Sequence, residues 1–165
     1  MPGMRKVSQA DYSAALKWIA RLLAENRIKY NAMGGLAARA YGAKRMLVDI
    51  DLSMSRGSME RLAKLAGEYV VEKPWNGTSP TGLWKGYYME LDYAGIAIEI
   101  SESEKTKIFN RKTKKWEKFP DGLKDSARKR ILGAIVPVMP RQNLADYKRK
   151  LGRKVDVLDL KSIGR

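Results

Sequence analysis

The sequence predicts one α/β (α+β) domain: a mixed sheet of about four to six strands with helices packed mainly on one face. Three observations carry this. Apolar residues recur at helical spacing over 12–28 and again over 144–151. Branched residues alternate with polar ones at Val48-Asp49-Ile50-Asp51-Leu52 and Ile96-Ala97-Ile98-Glu99-Ile100, as half-buried strands do. Glycines, singly or paired, punctuate the chain between these runs.

In order, Ser8 with Asp11 fits a capping box opening a helix that ends near Asn26, with Tyr12, Leu16, Ile19, Ala20 and Leu23 on its inner stripe. Ile28–Met33 reads as a strand leading to Gly34-Gly35. A short helix from Leu36 to Tyr41 stops at Gly42, and Met46–Ser53 is a second strand. In that strand Asp49 and Asp51 share one face, roughly 7 Å apart, while Val48, Ile50 and Leu52 turn into the core. Ser58 is placed to cap a helix over Met59–Val71, with Leu62, Leu65, Ala66 and Tyr69 inward. Pro74–Gly86 is irregular. Its Trp75 and Trp84 either stack on a base or sugar or pin the loop to the core. Tyr87–Tyr93 and Gly95–Ser101 form a hairpin turning at Ala94-Gly95.

The remainder is basic. Lys105–Lys118 reads as a hairpin or basic loop, Leu123–Leu132 as a basic segment either helical or without regular form, and Ala134–Met139 as an edge strand because of Pro137. A helix over Gln142–Leu151 stops at Gly152. No internal repeat or linker divides the chain, so one domain is expected over 1–165. Its core spans 8–104 and its basic part 105–165.

Composition narrows the chemistry. The chain has no cysteine and no histidine, so thiolate and imidazole ligands and imidazole catalysis are excluded. Metal binding and base work must fall to carboxylates, which favours hard cations such as Mg²⁺. No run of eighteen apolar residues predicts a membrane span, and Met1–Val7 lacks the apolar stretch of a secretory signal. A cytoplasmic location is expected. The net charge is +15, unevenly spread: residues 1–104 carry 14 basic and 12 acidic side chains, residues 105–165 carry 19 and 6. Such asymmetry points to a polyanionic partner, or to a solvated basic surface. Lys112, Lys114 and Lys115 beside Trp116 suit a single-stranded nucleic acid, where bases stack on rings.

The run from Gly34-Gly35 through Gly42, Arg45, Asp49 and Asp51 resembles the nucleotidyltransferase signature of the DNA polymerase beta superfamily. In small prokaryotic members Gly-Gly or Gly-Ser precedes a helix, and Gly-x-x-Arg precedes Asp-x-Asp. Many relatives have Thr or Ser two residues before the first aspartate, where this chain has Leu47. Leu144, Lys148, Gly152, Arg153, Asp156 and Asp159 match the C-terminal pattern of the same toxin/antitoxin-like and antibiotic-modifying branch. The resemblance implies transfer of a nucleoside monophosphate from a nucleoside triphosphate to an acceptor hydroxyl. It implies two Mg²⁺ ions (or Mn²⁺) on Asp49 and Asp51, with Glu99 as third carboxylate and Glu90 and Asp92 as its rivals. Gly34 and Gly35 would cradle phosphates, and Arg45 would screen charge or brace the aspartates. Lys148 and Arg153 would meet triphosphate oxygens or else pair with Asp156 and Asp159. RNA is the expected acceptor, a small molecule the alternative. A non-catalytic antitoxin-like chain with a partner protein, or a basic RNA-binding protein, remains a different class of reading.

Overall fold

Ser8 starts the first helix as its sequence requires. Its hydroxyl accepts from the Asp11 N–H, and the Asp11 carboxylate accepts from the Ser8 N–H, so two orphan donors of the first turn are satisfied. In the computed structural model, which describes residues 6–164, this helix α1 runs Gln9–Glu25 and buries Ala15, Leu16, Ile19 and Leu23. Most of Met1–Val7, read above for signal character, lies outside the described residues.

The chain continues through β1 (Tyr30–Ala32), α2 (Gly34–Ala40), β2 (Ile50–Met54), α3 (Arg56–Ala66), β3 (Val70–Thr78), β4 (Trp84–Tyr93) and β5 (Ile96–Glu102). Then follow β6 (Lys107–Asn110), β7 (Lys115–Lys118), β8 (Ala127–Ile131), β9 (Ala134–Val138), α4 (Arg141–Leu151) and α5 (Lys154–Ser162). One mixed sheet of nine strands, in place of the four to six expected, runs β7-β6-β4-β5-β2-β1-β9-β8, with β3 paired to β4. β2 lies parallel to β5 in the register Ile50↔Ile98, Asp51↔Glu99, Leu52↔Ile100. Ile50, Leu52, Ile98 and Ile100 are all buried. They form the apolar face, while Asp51 and Glu99 stand side by side on the other. α1 touches β5 and β9, and α3 touches β3, β4 and β5. Trp18, Tyr69 and Tyr93 stack at 4.6–5.7 Å between ring centroids and tie α1 to β4. Among the described residues, no helix is long and apolar enough to cross a membrane.

Several sequence-based boundaries are corrected. The second strand begins at Ile50, not Met46, because 43–49 is a loop. Leu47 turns inward, whereas Met46 and Val48 are 74% and 76% exposed, so Val48 does not face the core. Arg39 donates to the Arg45 carbonyl at 2.9 Å, and the Arg45 side chain is tied elsewhere, which holds this segment off the sheet. α3 is capped by Ser55, whose Oγ accepts from the Ser58 N–H. It stops at Gly67, where φ is +52°, and Leu65 is exposed.

The irregular stretch contains a strand. β3 pairs with β4 alone and absorbs Pro74 at a register shift between Glu72 and Trp75, as an edge strand can. The basic segment 123–132 is mostly β8, not helix; only Leu123–Asp125 makes a 3₁₀ turn. β9 is not the edge: it lies between β8 and β1, with Pro137 itself paired to Arg128 of β8, while β1 runs parallel to it and meets it at Ala32↔Val138. The hairpin at Ala94-Gly95 stands as expected, with φ of +50° and +89°.

Candidate active site

The parallel register of β2 and β5 sets Asp51 beside Glu99, and Asp49 lies in the bend one residue before β2. Each of the three offers a carboxylate oxygen, and these oxygens all lie within 4.8 Å of one another. Burial pushes all three carboxyls above their usual range. At Asp51, which rises furthest, the charges of Asp49 and Glu99 add to burial. At Asp49 the Asp51 hydrogen bond and Arg45 pull partly back, and at Glu99 the Asp49 charge adds. Three negative groups this close, without a basic partner bonded to any of them among the described residues, are poised for a cation. The donor set is all oxygen, which suits a hard divalent ion.

The carboxylates line a cleft of about 390 Å³. One of its walls comes from α2, α4 and α5. Gly34 adopts φ +59°, and a Cβ there would collide with the Asp51 carboxylate. A Cβ at Gly35 would stand 2.5 Å from Nη2 of Arg45. The glycine pair thus lets Asp51 and Arg45 press against backbone. The pair does not precede the helix, as expected, but forms its first turn. The Gly34 N–H is already engaged, donating to the Tyr147 hydroxyl at 2.7 Å.

Tyr147 lies on the buried side of α4 with Leu144, Lys148 and Leu151. It is held by edge contacts with Trp84 and Phe119 at 5.7 and 5.2 Å. That cluster positions the hydroxyl from beneath.

Behind this wall runs a chain of ion pairs. Arg45 forks onto Asp159 at 2.6 and 2.9 Å. The Lys148 ammonium, 1% exposed, bonds Asp159 at 2.8 Å and Asp156 at 3.2 Å. Arg153 bonds Asp156 at 2.7 and 3.1 Å, and its N–H donates to the same carboxylate at 3.0 Å. Of the two roles open to Lys148 and Arg153 in the sequence, the pairing one is visible here. Both side chains also border the cleft, as does Arg45.

A scan against protein-family models finds no match, and a search of curated proteins finds none either. Solved structures do match. A Thermotoga maritima protein provisionally described as a nucleotidyltransferase superposes with a TM-score of 0.72 at 20% identity, covering 92% of this chain and 91% of its own. ANT(2″)-Ia in complex with adenylyl-2″-tobramycin gives 0.60 at 17% identity, over 93% and 90%. The lincomycin-bound lincosamide antibiotic adenylyltransferase LnuA gives 0.58 at 12%, over 96% and 98%. The chain has the nucleotidyltransferase fold.

On that fold, Asp49, Asp51 and Glu99 come together, with Gly34, Gly35 and Arg45 beside them. Of Glu99's rivals, Asp92 turns away to accept the Gly95 N–H in the hairpin. Glu90 borders the same cleft one strand beyond Glu99. Both tryptophans of the supposed loop line the cleft as well. The basic residues 112, 114 and 115 stand exposed on the β6–β7 hairpin, apart from this lining. Trp116 faces Phe109 at 5.4 Å across the hairpin, and the Lys85 ammonium sits 4.1 Å from its ring centre. Sequence reasoning missed Glu72, Tyr88 and Tyr147. The first two needed the β3–β4 pairing, which Pro74 concealed.

Proposed function

We propose that this chain transfers a nucleoside monophosphate from a nucleoside triphosphate to an acceptor hydroxyl and releases pyrophosphate. The observation that carries this is the carboxylate triad on neighbouring elements at the floor of a cleft in a nucleotidyltransferase fold. Asp49, Asp51 and Glu99 would hold Mg²⁺, two ions in the fullest form of the reading, with Mn²⁺ as a substitute. When bound, the ions supply charge neutralisation on the triphosphate and acidify the acceptor hydroxyl. The protein's own work is positioning. Gly34 and Gly35 would cradle the phosphates by seating Asp51 and Arg45 against their backbone, and the Tyr147 hydroxyl, now taken up by the Gly34 N–H, sits beside them as a further contact. Arg45 and Arg153 turn a positive edge toward the same end, held in orientation by Asp159 and Asp156. Phosphoryl transfer needs little covalent chemistry from side chains, which suits a chain without histidine. A triphosphate substrate accords with a cytoplasmic location.

Pyrophosphate release and label transfer from each of the four ribonucleoside triphosphates, in Mg²⁺ and in chelator, test the reading. Parent activity should vanish in Asp49→Asn and in Asp51→Asn. Tight metal-dependent nucleotide binding without turnover on any acceptor would instead favour the non-catalytic, antitoxin-like class.

Two acceptors have separate support. RNA is supported by the basic excess after residue 104 and by the exposed lysines of the β6–β7 hairpin. RNA affinity should then fall with salt at a log–log slope near −0.7 per phosphate contact for single strands. Reversing the charge at Lys112, Lys114 and Lys115 should flatten that slope. Trp116→Ala should cost roughly 1–3 kcal/mol at unchanged slope only if a base displaces Lys85 from the ring. A small acceptor is supported by the cleft itself, whose far wall is acidic and aromatic.

A further inference from the structure

The basic excess after residue 104 does not gather on one surface. β7 and β8 stand at opposite ends of the strand order, so the lysines of the β6–β7 hairpin are apart from Arg128, Lys129 and Arg130 of β8. The hairpin lysines suit RNA. The β8 group borders a second groove, of about 360 Å³, between α1 and the β8–β9 pair.

Its apolar floor is made by Ala20 and Ala24 of α1, by Ile28, and by Ile135 and Pro137 of β9. The Ser13 hydroxyl donates to the Leu132 carbonyl at 2.7 Å and clasps α1 to the turn between β8 and β9. Two helical turns farther along, Ala20 and Ala24 offer only methyl groups, and the gap stays open. No residue of this groove lines the candidate active site.

Cations hold the rim. Arg128 pairs directly with Pro137 and Arg130 with Ile135. Directly paired residues share a face, so the two arginines flank the two apolar side chains. Lys29 lines the groove from the connection between α1 and β1. Lys29, Arg128 and Arg130 are all exposed, and among the described residues none of them is in an ion pair. Among the same residues, no acidic side chain lines the groove.

Tyr30 adds a second, independent mark. It lines the groove while only 6% exposed, and among the described residues its hydroxyl has no hydrogen-bond partner. Side-chain polar atoms buried to this degree are bonded in most structures. Burial pushes the pKa of the phenol up to about 12, and the nearby Arg128 charge pulls against it. The phenol is therefore a neutral donor set beside a cation.

These features define the occupant. A hydroxyl donor and two free cations ask for an anionic acceptor, and the floor asks for an aliphatic group beside it. Nucleic acid brings the anion without the aliphatic group, and the groove's one ring, Tyr30, is too buried to stack a base. Among the described residues, Ile135 is the one exposed large apolar side chain in the groove, too little for a lipid surface. A second copy would bring a further net charge of +15 to the same rim.

We propose that this groove docks an acidic segment of a partner protein, with a leucine or isoleucine side chain on the floor and carboxylates on Lys29, Arg128 and the Tyr30 hydroxyl. An amphipathic helix, with anchors at i, i+3 and i+4, is the simplest form of such a segment. The site stands apart from the candidate active site and does not depend on the nucleotidyl-transfer reading.

The test uses the full chain, isotopically labelled for NMR, and a fluorescein-labelled peptide of two Glu-Glu-Leu-Asp-Glu-Leu-Leu repeats. Each of two control peptides changes one property: serine replaces every leucine, or Gln and Asn replace every Glu and Asp. Anisotropy at about 0.15 M salt should show the acidic leucine peptide binding at least tenfold tighter than either control. The amide signals it moves should be those of Ala20, Ala24, Ile28, Tyr30 and Ile135. Arg128→Glu should weaken binding about tenfold, Ile135→Thr about fivefold and Tyr30→Phe about threefold. Lys112→Glu, on the far hairpin, should leave it unchanged, which separates docking from general attraction to a basic chain. The three groove variants should melt close to the parent, since Arg128 and Ile135 are exposed and the Tyr30 hydroxyl bonds nothing in the free chain. No binding at about 1 mM peptide, equal affinity for the serine control, or unchanged affinity in both Arg128→Glu and Ile135→Thr overturns the inference. So does octanoate, or single-stranded RNA, moving the same amides at lower concentration than the peptide.

Discussion

Lys148 offers the most demanding test of how the cleft wall is held. Its ammonium is 1% exposed and bridges Asp156 and Asp159, whose side chains are 0% and 1% exposed. Replacing it with Met fills nearly the same volume but leaves two buried carboxylates short of one partner. Breaking a buried pair this way costs about 3–5 kcal/mol. Arg45 still bonds both oxygens of Asp159 and Arg153 both oxygens of Asp156, so the lower half of that range is expected. For a chain of this length each kcal/mol moves Tm by about 2–4 °C, giving a fall of roughly 6–16 °C. Thermal and urea unfolding followed by circular dichroism at pH 7 measure it, with exposed Lys161→Met as a control expected within about 0.5 kcal/mol. Pairing Lys148→Met with Asp156→Asn in a double-mutant cycle should recover part of the loss, because the second change removes one orphaned charge. A loss below about 1 kcal/mol, or strict additivity in the cycle, would refute the claim that Lys148 is the keystone of the ion-pair chain.

Further outcomes follow from the same geometry. Gly34→Ala should destabilise the fold, since it adds a Cβ onto the Asp51 carboxylate at a positive φ, and it should weaken Mg²⁺-dependent nucleotide binding along with stability. Gly35→Ala meets only the end of a long side chain, Arg45, so its effect should be smaller in Tm than in nucleotide affinity.

The pH profile should carry two opposed signatures. Burial raises the Asp159 carboxyl, but its bonds to Arg45 and Lys148 outweigh this and hold it below its usual value. Its stabilisation is therefore present above the unfolded pKa of about 4 and lost as pH falls through the folded value. Asp49, Asp51 and Glu99 are shifted upward, so they oppose folding at neutral pH, and that cost is relieved as pH falls through their raised folded values. The metal-free chain should be most stable on the acid side of neutrality, above pH 4, and saturating Mg²⁺ should move the maximum back toward pH 7. Denaturant titrations across pH 3–8 with and without Mg²⁺ decide it, and a profile unmoved by Mg²⁺ counts against the triad as a cation site.

Local chemistry explains which elements were legible in sequence. The capping box at Ser8, the αL stop at Gly152 and the Ala94-Gly95 hairpin are all decided by a few adjacent residues, and each stands as expected. β3 was hidden because Pro74 and Gly77 argue against a strand, and only its edge position and bulge accommodate them. β8 was hidden because Ala-Arg-Lys-Arg-Ile has no apolar alternation: it is an edge strand with three exposed basic side chains, whose pairing to β9 is a tertiary matter. The start of β2 was misplaced for a similar reason. The alternation from Met46 onward continues through a loop whose path is set by Arg39 and Arg45, over 100 residues from the Asp159 that Arg45 grips.

The site divides the same way. The shared face of Asp49 and Asp51 could be read from alternation, whereas Glu99 was picked out by the resemblance, which asks for a third carboxylate on a neighbouring strand, together with its place in an isoleucine-lined segment. Glu72, Tyr88 and Tyr147 could not be found, because their places depend on strand register and on an aromatic cluster assembled from β4, α4 and Phe119.

The central claim is that Asp49, Asp51 and Glu99 form a divalent-cation site serving a nucleoside triphosphate. Isothermal titration of the full chain with a non-hydrolysable triphosphate, in Mg²⁺ and in chelator, for parent and Asp51→Asn, tests it most directly. Binding should appear only for the parent in Mg²⁺, while the metal-free variant melts higher than the metal-free parent because a buried repulsion has been removed. Equal triphosphate affinity for parent and variant in Mg²⁺, or binding undiminished by chelator, would contradict the account.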